Sequence, residues 1–248
     1  MDYRIVTGRD TANLKDLQDE IVVPAWPEFM MHDGCVNKYW NELHRRYAEY
    51  QFVLREEGSQ RVLAVGNSMP LVWDGDLEDL PDEGLDWALK SCFENLTHEK
   101  KHHTQCAFQI VVAPDLLGTG FSYEVVKLMM NIGRERGLDR LIAPVRPNMK
   151  SRYPLTPMES YIGWQREDGL PFDGWMRVHT RLGAETVKVC SKSMLIEGTV
   201  ADWQKWTGMK FFESGQYIVP GALVPIEIDS EADKGTYIEP NVWMAHRL

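Results

Sequence analysis

A strand, a two-glycine turn and an amphipathic helix, met in that order, constrain this chain more than any other feature. Residues 104–113 alternate, placing Cys106, Phe108, Ile110 and Val112 on one face and Gln105, Ala107, Gln109 and Val111 on the other. Pro114-Asp115 turns the chain into Leu116-Leu117-Gly118-Thr119-Gly120, and a helix then runs through Arg136. Its Phe121, Val125, Leu128, Met129 and Ile132 keep the spacing of one buried stripe. Gly137 is a natural stop for that helix, and residues 141–146 form a short apolar strand. The right-handed crossover rule makes this strand parallel to 104–113. A chain carrying such a unit builds a helix-covered sheet, so the fold class is mixed α/β.

The flanking sequence supplies further elements. Residues 3–7 read as a strand, 11–20 and 38–49 as helices, 51–55 and 61–68 as strands joined by a turn, and 85–95 as a helix. Between the first two helices, residues 22–34 carry Pro24, Trp26, Pro27, Phe29, Met30 and Met31; two prolines argue against a helix, and the apolar bulk suggests a lid or cavity wall. Residues 74–86 are acidic and read as a solvated loop. Residues 152–174, rich in Pro, Tyr and Trp, read as an insertion. Residues 175–182 follow as a helix capped by Gly183, 185–194 as a strand, and 217–219 and 223–228 as short strands. The economical organisation is a core over 1–198, with the insertion at about 152–174, and a C-terminal extension over 199–248 packed on the same domain.

Composition narrows the partners. The 248 residues carry 27 Lys+Arg against 37 Asp+Glu, a net charge of -10, with no basic run; nucleic acid is excluded as a partner, since binding requires ~6–10 phosphates to be met by Lys and Arg. No apolar stretch approaches the ~20 residues of a membrane span. The first residues lack the basic and apolar regions of a secretion signal, and Cys35, Cys92, Cys106 and Cys190 form no Cys-x-x-Cys pair, which together point to reduced thiols and a cytoplasmic location.

Residues 112–122 carry the strongest chemical signal. Glycines between a strand end and a helix start allow close approach of a ligand, and the first helical amides lack internal partners at the positive end of the dipole. That geometry suits a phosphate or pyrophosphate; a ligand-free tight turn is the competing reading. A P-loop needs Gly-Lys-Ser/Thr and a dinucleotide fingerprint a third glycine, and Gly120-Phe121-Ser122-Tyr123 supplies neither.

Asp115-Leu116-Leu117-Gly118-Thr119-Gly120 instead resembles the Gln/Arg-x-x-Gly-x-Gly/Ala motif of the GNAT superfamily of acyl-CoA-dependent N-acyltransferases. Both small positions match; Asp115 departs from the basic or amide residue, which leaves the diphosphate chiefly to amides. Arg146-Pro147-Asn148 after the second strand, and His179-Thr180-Arg181-Leu182-Gly183-Ala184 in place of a Tyr-x-x-x-Gly-Phe segment, extend the resemblance over roughly 51–192. It implies a central twisted mixed sheet whose two parallel strands splay where Pro144 lacks a ladder N–H. It also implies an enzyme that moves an acetyl or other acyl group from coenzyme A to a small-molecule amine, with a homodimer as the assembly to test. Ile110, Val111 and Val112 would pair with the pantetheine arm, Leu117, Gly118, Thr119, Gly120 and Phe121 would hold the diphosphate, and Asn148 would complete the coenzyme site. His179, at the family's tyrosine position, would protonate the departing sulfur, with Tyr153 and Tyr161 as rival donors. A degenerate relative that binds acyl-CoA without turnover is the competing class.

Other constellations carry less. His98-Glu99-Lys100-Lys101-His102 matches a zinc-peptidase pattern, but its flanks are polar where that helix needs an apolar face, so no metal is assigned. The cysteines lack a His/Asp partner pattern. Some of Trp26, Trp164 and Trp175, in or beside irregular segments, are expected to line the acceptor pocket.

Overall fold

A computed structural model describes residues 2–94 and 102–248. The strands are β1 (Tyr3–Thr7), β2 (Gln51–Glu56), β3 (Val62–Leu71), β4 (Thr104–Val112), β5 (Arg140–Val145), β6 (Glu185–Gly198), β7 (Gly215–Tyr217), β8 (Ile226–Asp229) and β9 (Lys234–Arg247). The helices are α1 (Leu14–Ala25), α2 (Gly34–Arg46), α3 (Gly84–Glu94), α4 (Phe121–Glu135), α5 (Met158–Ile162), α6 (Gly174–Arg181) and α7 (Val200–Thr207). All nine strands form one sheet in the order β1-β2-β3-β4-β5-β9-β8-β7, with β6 also paired to β9. Only β4 and β5 run parallel among the described pairs. The expected mixed α/β architecture is therefore present, and no described helix is long and apolar enough to cross a membrane.

Helix α4 forms where its stripe predicts: Val125 and Met129 are fully buried and Ile132 nearly so, each burial worth ~1.5–3 kcal/mol. Gly137, at φ 70°, ends it in the left-handed region. On the opposite face, Leu14 and Val22 of α1 pack with Val53, Val65 and Val111.

Three readings change. Helix α1 starts later than expected because Asp10 accepts the Thr7 amide and hydroxyl, both at 2.7 Å, holding a turn. It then runs through Pro24, whose ring is exposed in the last turn, where a missing N–H removes only one bond. Strand β4 does not alternate without interruption: Asn67 pairs with Gln109 but Ser68 with Ala107, so Phe108 is an extra residue. This bulge flips the faces. Cys106 lies towards Cys92 of α3, and beyond the bulge Val111, not Val112, packs under α1. Finally, the last fifty residues are more than an appendage. β9 lies between β5 and β6, pairing Leu141 with His246 on one edge and Glu185 with Ala245 on the other.

Candidate active site

The parallel pairing of β4 and β5 covers only Thr104–Arg140, Gln105–Leu141 and Cys106–Ile142. Beyond it the strands part. β4 stays bound to β3 and β5 to β9, where Pro144 sits opposite Trp243. Pro144 thus lies past the last parallel pair, where a missing donor costs the sheet little. The gap opens as a cleft of about 390 Å³ whose walls are residues 107–112 of β4 and 143–146 at the end of β5. Ile110, Val111 and Val112 line it, as do Leu117, Asn148 and His179.

The turn at the cleft's end has the conformation its glycines allow. Gly118 and Gly120 sit at φ 78° and 90°, where a side chain is strained. A Cβ on Gly118 would meet nothing within 4 Å, and one on Gly120 only the Tyr123 ring at 3.9 Å, so a side chain at either would project into open space; Leu117 and Ser122 on either side of them line the cleft. The Leu117 and Thr119 amides donate to Pro114 and Leu116 carbonyls, each at 3.3 Å, and the Phe121 amide makes a long 3.4 Å contact with Thr119 Oγ1. Among the described residues the Gly118 and Gly120 amides have no acceptor. The Ser122 amide, beside the cleft, likewise has no acceptor among the described residues, so the free donors are those of Gly118, Gly120 and Ser122 at the N-terminus of the fifteen-residue α4. Asp115 is not a free negative charge at this mouth: both guanidinium N–H groups of Arg61 clasp it, one at 3.0 Å. The pairing holds its carboxyl below the ordinary range.

His179 projects from α6, which Asp173 caps. Its ring is 2% exposed, and its Nδ1 lies 2.9 Å from His246 Nε2 on β9. Burial first, and His246 second, push His179 down to about 3; burial takes His246 to about 4. Both imidazoles are neutral near pH 7, so the proton-donating imidazolium expected of His179 does not form there. His246 Nδ1 is buried without a hydrogen-bond partner among the described residues, so the tautomer decides which nitrogen of the 2.9 Å contact donates. Where His179 Nδ1 donates to His246 Nε2, the His179 Nε2 lone pair is left free. Tyr153 stands apart from this pair. It packs in an aromatic cluster with Tyr161, Trp164 and Phe172, inside the 152–174 insertion. Tyr161 donates to Asp173 at 2.9 Å, and burial raises its phenol well above the ordinary range. Neither tyrosine lines the cleft.

Several organising residues carried no sequence signal. Asp173 accepts hydrogen bonds from the amides of Asn148, Met149, Trp175 and Met176 as well as from Tyr161. It ties the segment after β5 to α6. Asn148 also spends its Oδ1 on the Trp175 amide. At the far end of the cleft, fully buried Glu239 accepts from Arg146 Nε at 2.9 and 3.0 Å, from Tyr237 at 2.8 Å and from Asn241 at 3.1 Å. Of the three tryptophans considered for the pocket, Trp26 and Trp175 line the cleft and Trp164 does not. A second chamber of about 380 Å³ lies beside α1 and α2 and shares Trp26, Leu85, Phe108, Gln109 and Met194 with the cleft. The cysteine thiols are inert: burial first of all pushes Cys35, Cys92 and Cys190 up to about 12 and raises Cys106 well above the ordinary thiol range. His98 of the zinc-peptidase match lies outside the described residues.

No protein-family model matches the sequence. The chain is 30% identical over 249 residues to the arginine N-acetyltransferase avaD of Aspergillus versicolor, covering 90% of this chain and 85% of that one. Its fold is similar to the loading GNATL domain of CurA from Lyngbya majuscula, with TM-score 0.62, 16% identity, and coverage of 100% and 98%. It is also similar to the GphF GNAT-like decarboxylase in complex with isobutyryl-CoA, with TM-score 0.56, 13% identity, and coverage of 100% and 99%. With the splayed strands and the glycine cradle, these likenesses establish that the chain belongs to the GNAT family and moves an acyl group from an acyl-CoA to an amine.

Proposed function

We propose that this enzyme acetylates the α-amine of arginine or a close guanidino analogue, with acetyl-CoA as donor. The observation that carries this reading is the junction of two cavities, one ending in an amide cradle and the other opening beside α1 and α2, at a wall built by Trp26, Phe108 and Gln109. The relative's arginine activity supplies the acceptor class. A guanidinium is protonated at every physiological pH and cannot attack a thioester. The α-amine is therefore the nucleophile and the guanidinium the recognition handle.

Each part of the site has a role in this reaction. Backbone groups of 107–112, unpaired on the β5 side, bind the pantetheine arm as a strand would. The Gly118 and Gly120 amides, with the α4 dipole, hold the diphosphate, while Leu117, Thr119 and Phe121 shape the turn around it. An N–H near Val112 polarises the thioester carbonyl. Holding amine and thioester ~3–3.5 Å apart supplies ~7–11 kcal/mol of the barrier reduction. The His179 Nε2 lone pair accepts a hydrogen bond from the amine N–H and turns the nitrogen lone pair towards the carbonyl. As the C–N bond forms and the C–S bond breaks, the nitrogen's proton passes through solvent water to the sulfur, which leaves as a thiolate of reference pKa ~8.5 and departs as the coenzyme A thiol with little acid assistance. Asn148 positions α6, and so His179, through the Trp175 amide.

The test is thiol release from acetyl-CoA with arginine, agmatine, lysine and spermidine as acceptors. Turnover with arginine exceeding that with lysine and spermidine is expected. Lysine or spermidine as the preferred acceptor would overturn the proposal.

A further inference from the structure

Two carboxylates behind the shared wall lack the positive charge that their environment calls for. Asp33 is fully buried; its Oδ1 caps α2 by accepting the Val36 amide at 2.8 Å, while its Oδ2 has no partner among the described residues. Asp86, in the first turn of α3, is 6% exposed, and its Oδ1 likewise has no partner. The two charges repel each other, and Glu239 adds to the repulsion at Asp33. Lys90 acts on both, but it is exposed and makes no ion pair with either. Cys35 adds only a 3.5 Å contact to the Asp86 carbonyl, and the Leu195 amide a neutral donor. Glu239 is compensated by Arg146; Asp33 and Asp86 are not. Uncompensated buried carboxylates are costly and take up a proton or bind a cation. Asp86 takes the first course, rising to about 7 through burial and then through Asp33.

The location indicates which cation. Neither aspartate is itself part of the lining of the acceptor chamber; Val36 and Leu85, next to them through the α2 cap and the chain, line it along with Met30 and Trp26 and stand between the carboxylates and the chamber. Among the described residues no three potential ligands are grouped to hold a metal ion. A planar, weakly hydrated guanidinium donates in several directions and loses less on leaving water than an ammonium does. We propose that Asp33 and Asp86 form the guanidinium-recognition subsite of this enzyme, reached from the acceptor chamber past Leu85 and Val36. The subsite rests on the acceptor reading above and adds the residues that select it.

Citrulline, the neutral isostere of arginine, provides the test. Wild-type enzyme prefers arginine to citrulline by ~10²-fold or more in kcat/KM, as expected where a buried charge would otherwise go unpaired. Asp86→Asn raises KM for arginine by at least ~10-fold, with kcat little changed and coenzyme A affinity intact, and reduces the preference to a few-fold. Because Asp33 caps a helix, Asp33→Ser keeps a capping oxygen and serves as the second variant. Calorimetry with arginine alone at pH 7, in buffers of different ionisation enthalpy, reads the subsite without turnover: about half a proton more leaves wild type on binding than leaves Asp86→Asn. An unchanged arginine-to-citrulline ratio in both variants, or arginine binding with no more proton release in wild type than in Asp86→Asn, would overturn the subsite. Lysine preferred in the thiol assay, with the calorimetric signal present, would instead count against the acceptor reading alone.

Discussion

The buried imidazole pair makes the stability of this protein depend on pH in a way that can be calculated. Removing the pair, as His179→Gln/His246→Gln, is the perturbation. In the folded state the two titrate at about 3 and about 4, and in the unfolded chain near ~6.5. Above ~6.5 they are neutral in both states and cost nothing. As pH falls below that value the unfolded chain binds protons that the folded state refuses, so stability is lost until the folded pKa values are reached. From pH 7 to pH 5 each histidine costs about 2 kcal/mol, and the pair about 4 kcal/mol. The result requires only that both folded values lie below 5. Asp86 works in the opposite sense. Its folded value of about 7, raised above an unfolded ~3.8, makes acidification over the same interval stabilising by about 2 kcal/mol. Wild type alone would therefore lose less than 4 kcal/mol from these three groups. The informative quantity is the difference in pH slope between wild type and the double variant, from urea unfolding at pH 7, 6 and 5. We expect wild type to lose about 4 kcal/mol more than the variant. A slope difference below ~1 kcal/mol would show that the imidazoles are protonated when folded and refute the neutral pair.

Three further outcomes follow from the contacts. Asp173→Ala, which strips five donors of their shared acceptor, should lower unfolding free energy by about 2–4 kcal/mol in urea melts. Glu239→Gln leaves Arg146 without its buried countercharge and should cost about 3–5 kcal/mol by the same assay. Tyr153→Phe, in the aromatic cluster and away from the cleft, should leave kcat within about twofold of wild type in thiol release, where a proton donor would lose ~10²-fold or more.

What the sequence made legible was local. The β4–turn–α4–β5 unit could be read because its determinants, an alternating run, two glycines at positive φ and one apolar stripe, lie within 43 consecutive positions, 104–146. Pro144 marked the splay for the same reason, since a missing N–H is visible in one letter. The β4 bulge was not legible: Phe108 looks like any strand residue, and only the register against Asn67 and Ser68 makes it extra. Nor was the central place of β9, whose partners are about 100 residues earlier in β5 and about 40–60 earlier in β6. His179 was found by its offset from Gly183, but its protonation depends on His246, 67 residues on. The Arg146–Glu239 pair and the Asp33–Asp86 pair likewise join residues far apart in sequence, and no spacing rule announces them.

Calorimetric titration of acetyl-CoA into wild type and Gly118→Ala/Gly120→Ala tests the central claim most directly. The variant carries only the strain of two left-handed alanines, since neither Cβ meets another group closer than 3.9 Å, and near-unchanged circular dichroism will verify its fold. If the Gly118 and Gly120 amides grip the diphosphate between splayed strands, affinity falls by at least ~10²-fold, about 2.7 kcal/mol. Equal affinity in a folded variant would mean that the thioester carrier is held elsewhere.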